Sequence, residues 1–313
     1  MSSNKKSDVL VVGEINPDLI LTGPGLAPQF GQQEILVENA ELTIGSSSAI
    51  FACGAARLGL KVAFVGVAGK DQFGDFMLAS LQERDVDVSN VILEDRVKTG
   101  LSVILNRGDD RAILTYLGAI ASLRADQVKD SLLEQCRHVH VAGYFLQDAL
   151  RPGLPGLFAR AASLGLTTSL DTNWDPEEKW EGLEKVLPLT DIFLPNQAEI
   201  LSLTRKENLN DALSSLAVSG ILIAAKLGAD GAAACSAEKR IRVNSLKIDQ
   251  IADTVGAGDS FDAGFIYGYL QGWELEKALK LASACGSLSL RSHGGTQAQP
   301  NLQEALDAAR LIN

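Results

Sequence analysis

Residues 253 to 261 read DTVGAGDSF and stand between the polar run ending in KIDQIA and the apolar-periodic run DAGFIYGYLQGW. A helix start presents unpaired N–H groups and a partial positive charge, and Gly256 and Gly258 remove side chains that would keep an anion away from them. Such a turn is expected to hold an anion. Asp259 stands in the same turn and cannot be an anion ligand itself, because two negative charges at close range repel. Beside a phosphoryl site, a carboxylate fits the role of a base that takes a proton from an attacking hydroxyl. The plainer reading is that Asp253 and Thr254 cap a helix whose glycines allow tight packing.

Away from this turn, short β-rich runs alternate with amphipathic helical patterns. DVLVVG, KVAFVGVAG, HVHVAGYF, LTTSLDTN, DIFLPN and GILIAAKLG read as buried strands. That order implies an α/β fold, a doubly wound, mostly parallel sheet with helices on both faces. Residues 17–44 and 98–117 break the alternation with extended, period-two patterns and the turn signal Arg107-Gly108-Asp109-Asp110. They are expected to form antiparallel strands set apart from the main sheet, as a small β lid. With no repeat or low-complexity linker, residues 1–313 read as one domain. In such a sheet, ligands sit beyond the carboxyl ends of the strands, where VVGEINPD, GKDQFGD, DTNWDP, PNQAE and DTVGAGDSF all fall.

Composition narrows the function classes. The chain has 313 residues, 46% hydrophobic and 21% charged, enough for a large core. A net charge of -11 opposes binding to a nucleic-acid backbone. The apolar run Val9 to Val12 is too short for a signal segment or a membrane span, so a cytoplasmic protein is expected, with no membrane partner. Cys53, Cys136, Cys235 and Cys285 form no CxxC pair, and reduced, buried thiols are the expected state.

Spacing removes rival loops. Gly69-Lys70 is followed by Asp71 and has Phe64 where a Walker A loop needs glycine. Phe261 stands where a dinucleotide fingerprint needs its third glycine. Asp171, Asn173 and Asp175 mimic a calcium loop, but Pro176 and Gly182 occupy its glycine and glutamate positions.

DTVGAGDSFDAGF closely resembles the C-terminal signature of the ribokinase-like carbohydrate kinases, the PfkB family, and the resemblance runs over nearly the whole chain. It implies ATP-dependent transfer of the γ-phosphoryl group to a sugar or nucleoside hydroxyl, on a three-layer α/β/α fold with a β lid. Asp259 then falls on the catalytic base and Gly256, Ala257 and Gly258 on the anion hole. GEINPDLIL matches the turn whose Asn and Asp bind acceptor hydroxyls, pointing to Asn16 and Asp18; a plain Asn-Pro turn is the alternative. PNQAE matches the family's Asn-x-x-Glu and sets Asn196 by the nucleotide and Glu199 by Mg²⁺, mainly through water, against a simple helix-start role. KLGADG implicates Lys226, Gly228 and Gly231 at the nucleotide, with a hairpin turn as the alternative. Asp171 or Asn173 stands near the phosphates or serves only its turn. Many members need a monovalent cation such as K⁺, and the carbonyls of Asp253 and Val255 are the matching positions.

The chain also departs from the pattern. GSSSAIFACGAARLG keeps Gly45 of the acceptor-lining helix but has Ser46 for the second glycine and Ile50 for the usual asparagine. Gly45 and Ser46 remain expected acceptor-site residues, and Ser46, Ser47 and Ser48 can supply hydroxyls at a helix start, with N-capping as their plainer role. The leading expectation is a kinase for a neutral monosaccharide. A nucleoside kinase is the alternative that Ile50 favours, and a non-catalytic sugar-binding protein the alternative of another class. Arg111, on the lid, is available for a carboxylate or phosphate, or for solvent alone. Exposed lid edges give a reason to expect a homodimer.

Overall fold

A computed structural model describes residues 5–107, 110–217 and 220–313. The centre of the Gly108-Asp109 turn signal and the first four residues of the chain lie outside them. In the strand Val9–Val12 every residue is buried, yet its alternating side chains serve two cores. Val9 and Val11 join one apolar cluster, Leu10 and Val12 another. Val62–Val65 divides in the same way, with Val62 and Phe64 on one side and Ala63 and Val65 on the other. Strands apolar on both faces need a layer of helices on each. Ile50, Phe51, Phe261, Phe265 and Leu279 come down from one layer; Leu154, Leu157, Phe158 and Ile200 rise from the other.

The nine-stranded sheet runs in space Arg240–Val243, Ala232–Cys235, Leu222–Lys226, Ile192–Phe193, Thr167–Leu170, His138–Val141, Val9–Val12, Val62–Val65, Val86–Asp87. Pairing is parallel from Leu222–Lys226 to Val86–Asp87, and the final hairpin adds antiparallel strands at the edge. The chain steps outward from Val9–Val12 to Val86–Asp87, then returns to the other side at His138–Val141. Between those two central strands the winding reverses, and a crevice opens beyond their carboxyl ends.

Four strands stand apart, in the order Asn39–Ile44, Pro17–Thr22, Leu101–Arg107, Asp110–Tyr116. Two antiparallel pairs are joined at the centre by a parallel pairing of Pro17–Thr22 with Leu101–Arg107, a long-range partnership that period-two patterns do not carry. Register aligns Thr43, Asp18, Ser102 and Thr115 in one row on one face. Leu42, Leu19, Val103 and Leu114 form a row on the opposite face. No described helix is long and apolar enough to cross a membrane, and the four cysteines are free and buried.

Candidate active site

The helix Ala257–Leu270 starts at Gly256, whose φ of 73° lies in the left-handed region. A side chain there would also meet Gly295 Cα at 2.6 Å and Ile50 Cγ2 at 2.9 Å, so conformation and packing both require glycine. No side chain caps this helix, and its first N–H groups have no acceptor within the helix itself. At Gly258 a Cβ would make only ordinary contact, 3.5 Å from Lys226 Cδ. Glycine at that position therefore leaves the turn open rather than relieving a clash.

Asp259, in the first helical turn, is buried. Burial, and then the nearby Asp171 charge, push its carboxyl up to about 8, while Lys226 and the Ser47 hydroxyl pull the other way. Next to this turn the Lys226 ammonium is 2.7 Å from Asp171 and 3.1 Å from Asp262. Burial opposes its charge, but Asp171, Asp262 and Glu199 hold it above the ordinary lysine range. Asp171, also buried, is kept below the usual carboxylate range by Lys226. Burial drives Asp262 well above that range. Lys226 thus favours the charged form of Asp171, while burial works against that of Asp262. Oxygens of Asp171, Asp259 and Asp262 lie within 4.8 Å of one another, and Lys226 supplies the cation that such a group attracts.

On the acceptor side, Asn16 and Asp18 are buried at the base of the lid. Asn16 Nδ2 reaches Asp18 Oδ1 and Ser102 Oγ, both at 3.5 Å. Burial and the Asp253 charge raise Asp18 to about 7, and Arg111 opposes them. Gly45 is required here, because a Cβ would overlap the Asp18 carboxylate. Arg111 reaches over from the lid and donates to Thr254 Oγ1 at 3.2 Å.

The three serines that open the helix Ser47–Arg57 divide their work. Ser46, with φ of 66°, accepts from Ala49 N as the N-cap and donates to the Glu14 carbonyl at 2.6 Å. Its hydroxyl is turned inward and capping engages it. Ser48 donates to Glu14 Oε2 at 2.6 Å. Ser47 accepts from Asn173 Nδ2 at 2.9 Å.

Asn196 and Glu199 form a capping box at the start of the helix Gln197–Thr204. Glu199 accepts from Asn196 N at 2.8 Å and Nδ2 at 2.6 Å, and burial raises it to about 7. Gly231 is dictated by the hairpin, where a Cβ would overlap the Val243 carbonyl, whereas Gly228 has a φ of 60° and open space beside it. Asp253 braces its own loop, accepting from Val255 N at 3.0 Å and Gly294 N at 3.1 Å. The structure therefore gathers Asn16, Asp18, Gly45, Lys226 and Asp259 around the lid base and the 253–259 turn. Ser47, one of the three serines named from the sequence, joins them, and so do Asp262, Ser102 and Thr115, which were not singled out from it. Asp262 was within reach of inspection, since it follows Asp259 by three positions on one helix.

A model of the family described as pfkB family carbohydrate kinase matches residues 6–302. The chain is 28% identical over 283 residues to the 5-dehydro-2-deoxygluconokinase of Geobacillus thermodenitrificans, which covers 83% of this chain and 82% of that one. Over 278 residues it is 28% identical to the 2-dehydro-3-deoxygluconokinase of Bacillus subtilis, 84% of this chain and 86% of the other. Among solved structures, a provisionally named ribokinase II from E. coli in complex with ATP and Mg²⁺ superposes with a TM-score of 0.86 at 25% identity, covering 97% of this chain and 99% of that one.

Proposed function

The chain belongs to the pfkB family of carbohydrate kinases, and from that premise we propose that it moves the γ-phosphoryl group of ATP to a hydroxyl of a monosaccharide, with Asp259 taking the hydroxyl proton. The observation that carries this reading is the pairing of an uncapped, glycine-opened helix start with a buried carboxylate in the same turn. The N–H groups around Gly256, Ala257 and Gly258 stabilise charge that develops on the transferring group. Asn16 and Asp18 hold the acceptor, and the Ser102 and Thr115 hydroxyls on the same lid face extend that polar surface. Holding acceptor and base in one crevice replaces an encounter by a positioned reaction.

Magnesium bound with the nucleotide would neutralise phosphate charge. Both Glu199 oxygens already accept from Asn196, which suits contact through a water rather than directly. Asn196, Lys226, Gly228 and Gly231 border the nucleotide on this reading, Lys226 acting as a buried positive charge next to Gly258. The Asp253 and Val255 carbonyls are the proposed K⁺ ligands, in a loop that the Asp253 carboxylate holds together. Because the reaction draws on ATP, the protein acts in the cytoplasm.

A sugar acid is the second reading of the acceptor. Arg111 spans from lid to turn at the acceptor side, where a guanidinium matches a carboxylate, and the two curated relatives are named for dehydrodeoxygluconates. Mg·ATP with D-ribose, D-fructose, 2-dehydro-3-deoxy-D-gluconate or adenosine, followed by ADP release, separates the readings. Release that depends on a sugar supports the proposal, and a preference for the acid supports the second form. Turnover with adenosine alone makes the protein a nucleoside kinase, and sugar binding without turnover makes it a binding protein.

The outward lid row of Leu42, Leu19, Val103 and Leu114, with exposed Tyr116 on the same face, supports a homodimer that covers it.

A further inference from the structure

We propose that Glu14 is a positioning residue, a hub that holds the acceptor turn 16–18 against the start of the helix Ser47–Arg57; its effect on catalysis rests on the kinase reading above. Its carboxylate accepts from Ser48 Oγ at 2.6 Å and from Ser48 N at 3.1 Å, and its carbonyl accepts from Ser46 Oγ at 2.6 Å. Glu14 is buried among these partners, so it acts through them rather than on the acceptor. Ser46 stands in place of the second glycine of the family pattern and keeps a left-handed φ of 66°, a conformation that persists in serine only where the surroundings fix it. The bond to Glu14 helps to fix it. One residue earlier, a Cβ at Gly45 would overlap the Asp18 carboxylate and stand 2.9 Å from the Asn16 carbonyl oxygen. A displaced helix start therefore displaces both acceptor residues.

Glu14 also sits among the carboxyl ends of three neighbouring strands. Gly13, just past Val9–Val12, has no room for a side chain, because a Cβ would overlap Ser48 Oγ. Beyond His138–Val141, a Cβ at Gly143 would come to 2.8 Å from Glu14 Oε2. Gly143 N in turn donates at 2.8 Å to the side-chain oxygen of Asn173, beyond Thr167–Leu170, and Asn173 Nδ2 donates at 2.9 Å to Ser47 Oγ. The ring closes at the helix start, where Ser48 binds Glu14, and it includes both strands between which the winding reverses. The partners of the carboxylate are a hydroxyl and an amide rather than a cation, so a side-chain amide of the same shape can keep the arrangement.

Ser48→Ala removes the shortest bond to the carboxylate and leaves Glu14 in place. It is expected to raise KM about threefold to tenfold for the acceptor that the wild type uses, with kcat and the KM for ATP within about twofold. Glu14→Ala should exceed that effect, and Glu14→Gln should keep the acceptor KM within about twofold of wild type. Hydrogen exchange in the unliganded protein reads the coupling without turnover. Amides of residues 13–18 should exchange about threefold to tenfold faster in Ser48→Ala, although the substitution lies in another element, while those of the helix Leu302–Ala309 keep the wild-type rate. Faster exchange confined in this way, together with a raised acceptor KM, establishes the hub. Unmoved exchange of residues 13–18 in Ser48→Ala overturns it, as does an unmoved acceptor KM, whether or not Glu14→Ala folds. If the wild type phosphorylates none of the four acceptors, the kinase reading fails while the exchange still decides the hub.

Discussion

Lys226 is a single ammonium among buried carboxyl groups, with its side chain close against Asp171 and Asp262. Lys226→Met leaves Asp171 buried without its counter-charge and is expected to destabilise the fold by roughly 3–5 kcal/mol in urea unfolding. A loss below about 1 kcal/mol would contradict that arrangement. Asp259, raised to about 8 in the free protein, must be ionised to act as a base. The acceptor kcat/KM should therefore climb with pH and level off above about 8. The same shift has a thermodynamic sign. A carboxyl whose folded pKa is raised stabilises the fold while it is protonated, fully below its unfolded value near 4, and loses that contribution as pH rises through its folded value. Asp18, at about 7, adds to the effect. Unfolding free energy of the unliganded protein should decline from pH 4 to 8, and decline less steeply in Asp259→Asn. These roles were unevenly legible: Asp259 announces itself by its motif, but Ser46, Ser47 and Ser48 look alike in the sequence. Their division of labour is set by Glu14 and Asn173, which come from distant segments.

At the level of elements, two glycines with similar backbone angles separate conformation from packing. Gly256→Ala combines a φ of 73° with a Cβ 2.6 Å from the Gly295 backbone. Gly228→Ala faces only the left-handed backbone, with open space around it. Gly228→Ala is expected to lower stability by about 1 kcal/mol, and Gly256→Ala by clearly more, together with a loss of at least about tenfold in kcat as the helix start shifts. Equal effects on thermal unfolding and turnover would show that the crowding at Gly256 does not matter. The central strands were legible because continuous Val, Leu and Phe runs leave no polar face, as Val9–Val12 serving two cores makes plain. The joining of the two lid hairpins was not. Pro17–Thr22 pairs with a strand more than eighty positions later, and a local period records a strand's faces but not its partner. Lys226 is likewise separated by 55 and 36 residues from the carboxylates it holds, so their convergence belongs to the winding of the sheet.

Across the whole molecule, the polar row Thr43, Asp18, Ser102 and Thr115 and the apolar row Leu42, Leu19, Val103 and Leu114 give the lid two unlike faces. A dimer covering the apolar face should appear by light scattering, and Leu114→Glu should shift it to monomer; a wild-type monomer at micromolar concentration would refute the assembly. Such a dimer would connect assembly to the proposed chemistry, because Asp18 and Arg111 belong to the lid while Asp259 belongs to the main layer. On the proposed mechanism, the lid, the crevice and the glycine-rich turn meet in a proton transfer at one carboxylate, Asp259. The most direct measurement compares Asp259→Asn with wild type for sugar-dependent ADP release under saturating Mg·ATP, with thermal unfolding and ATP binding as controls. A fall in kcat of about a hundredfold or more, with folding and ATP affinity kept, is the predicted result; full turnover by the variant would contradict the account.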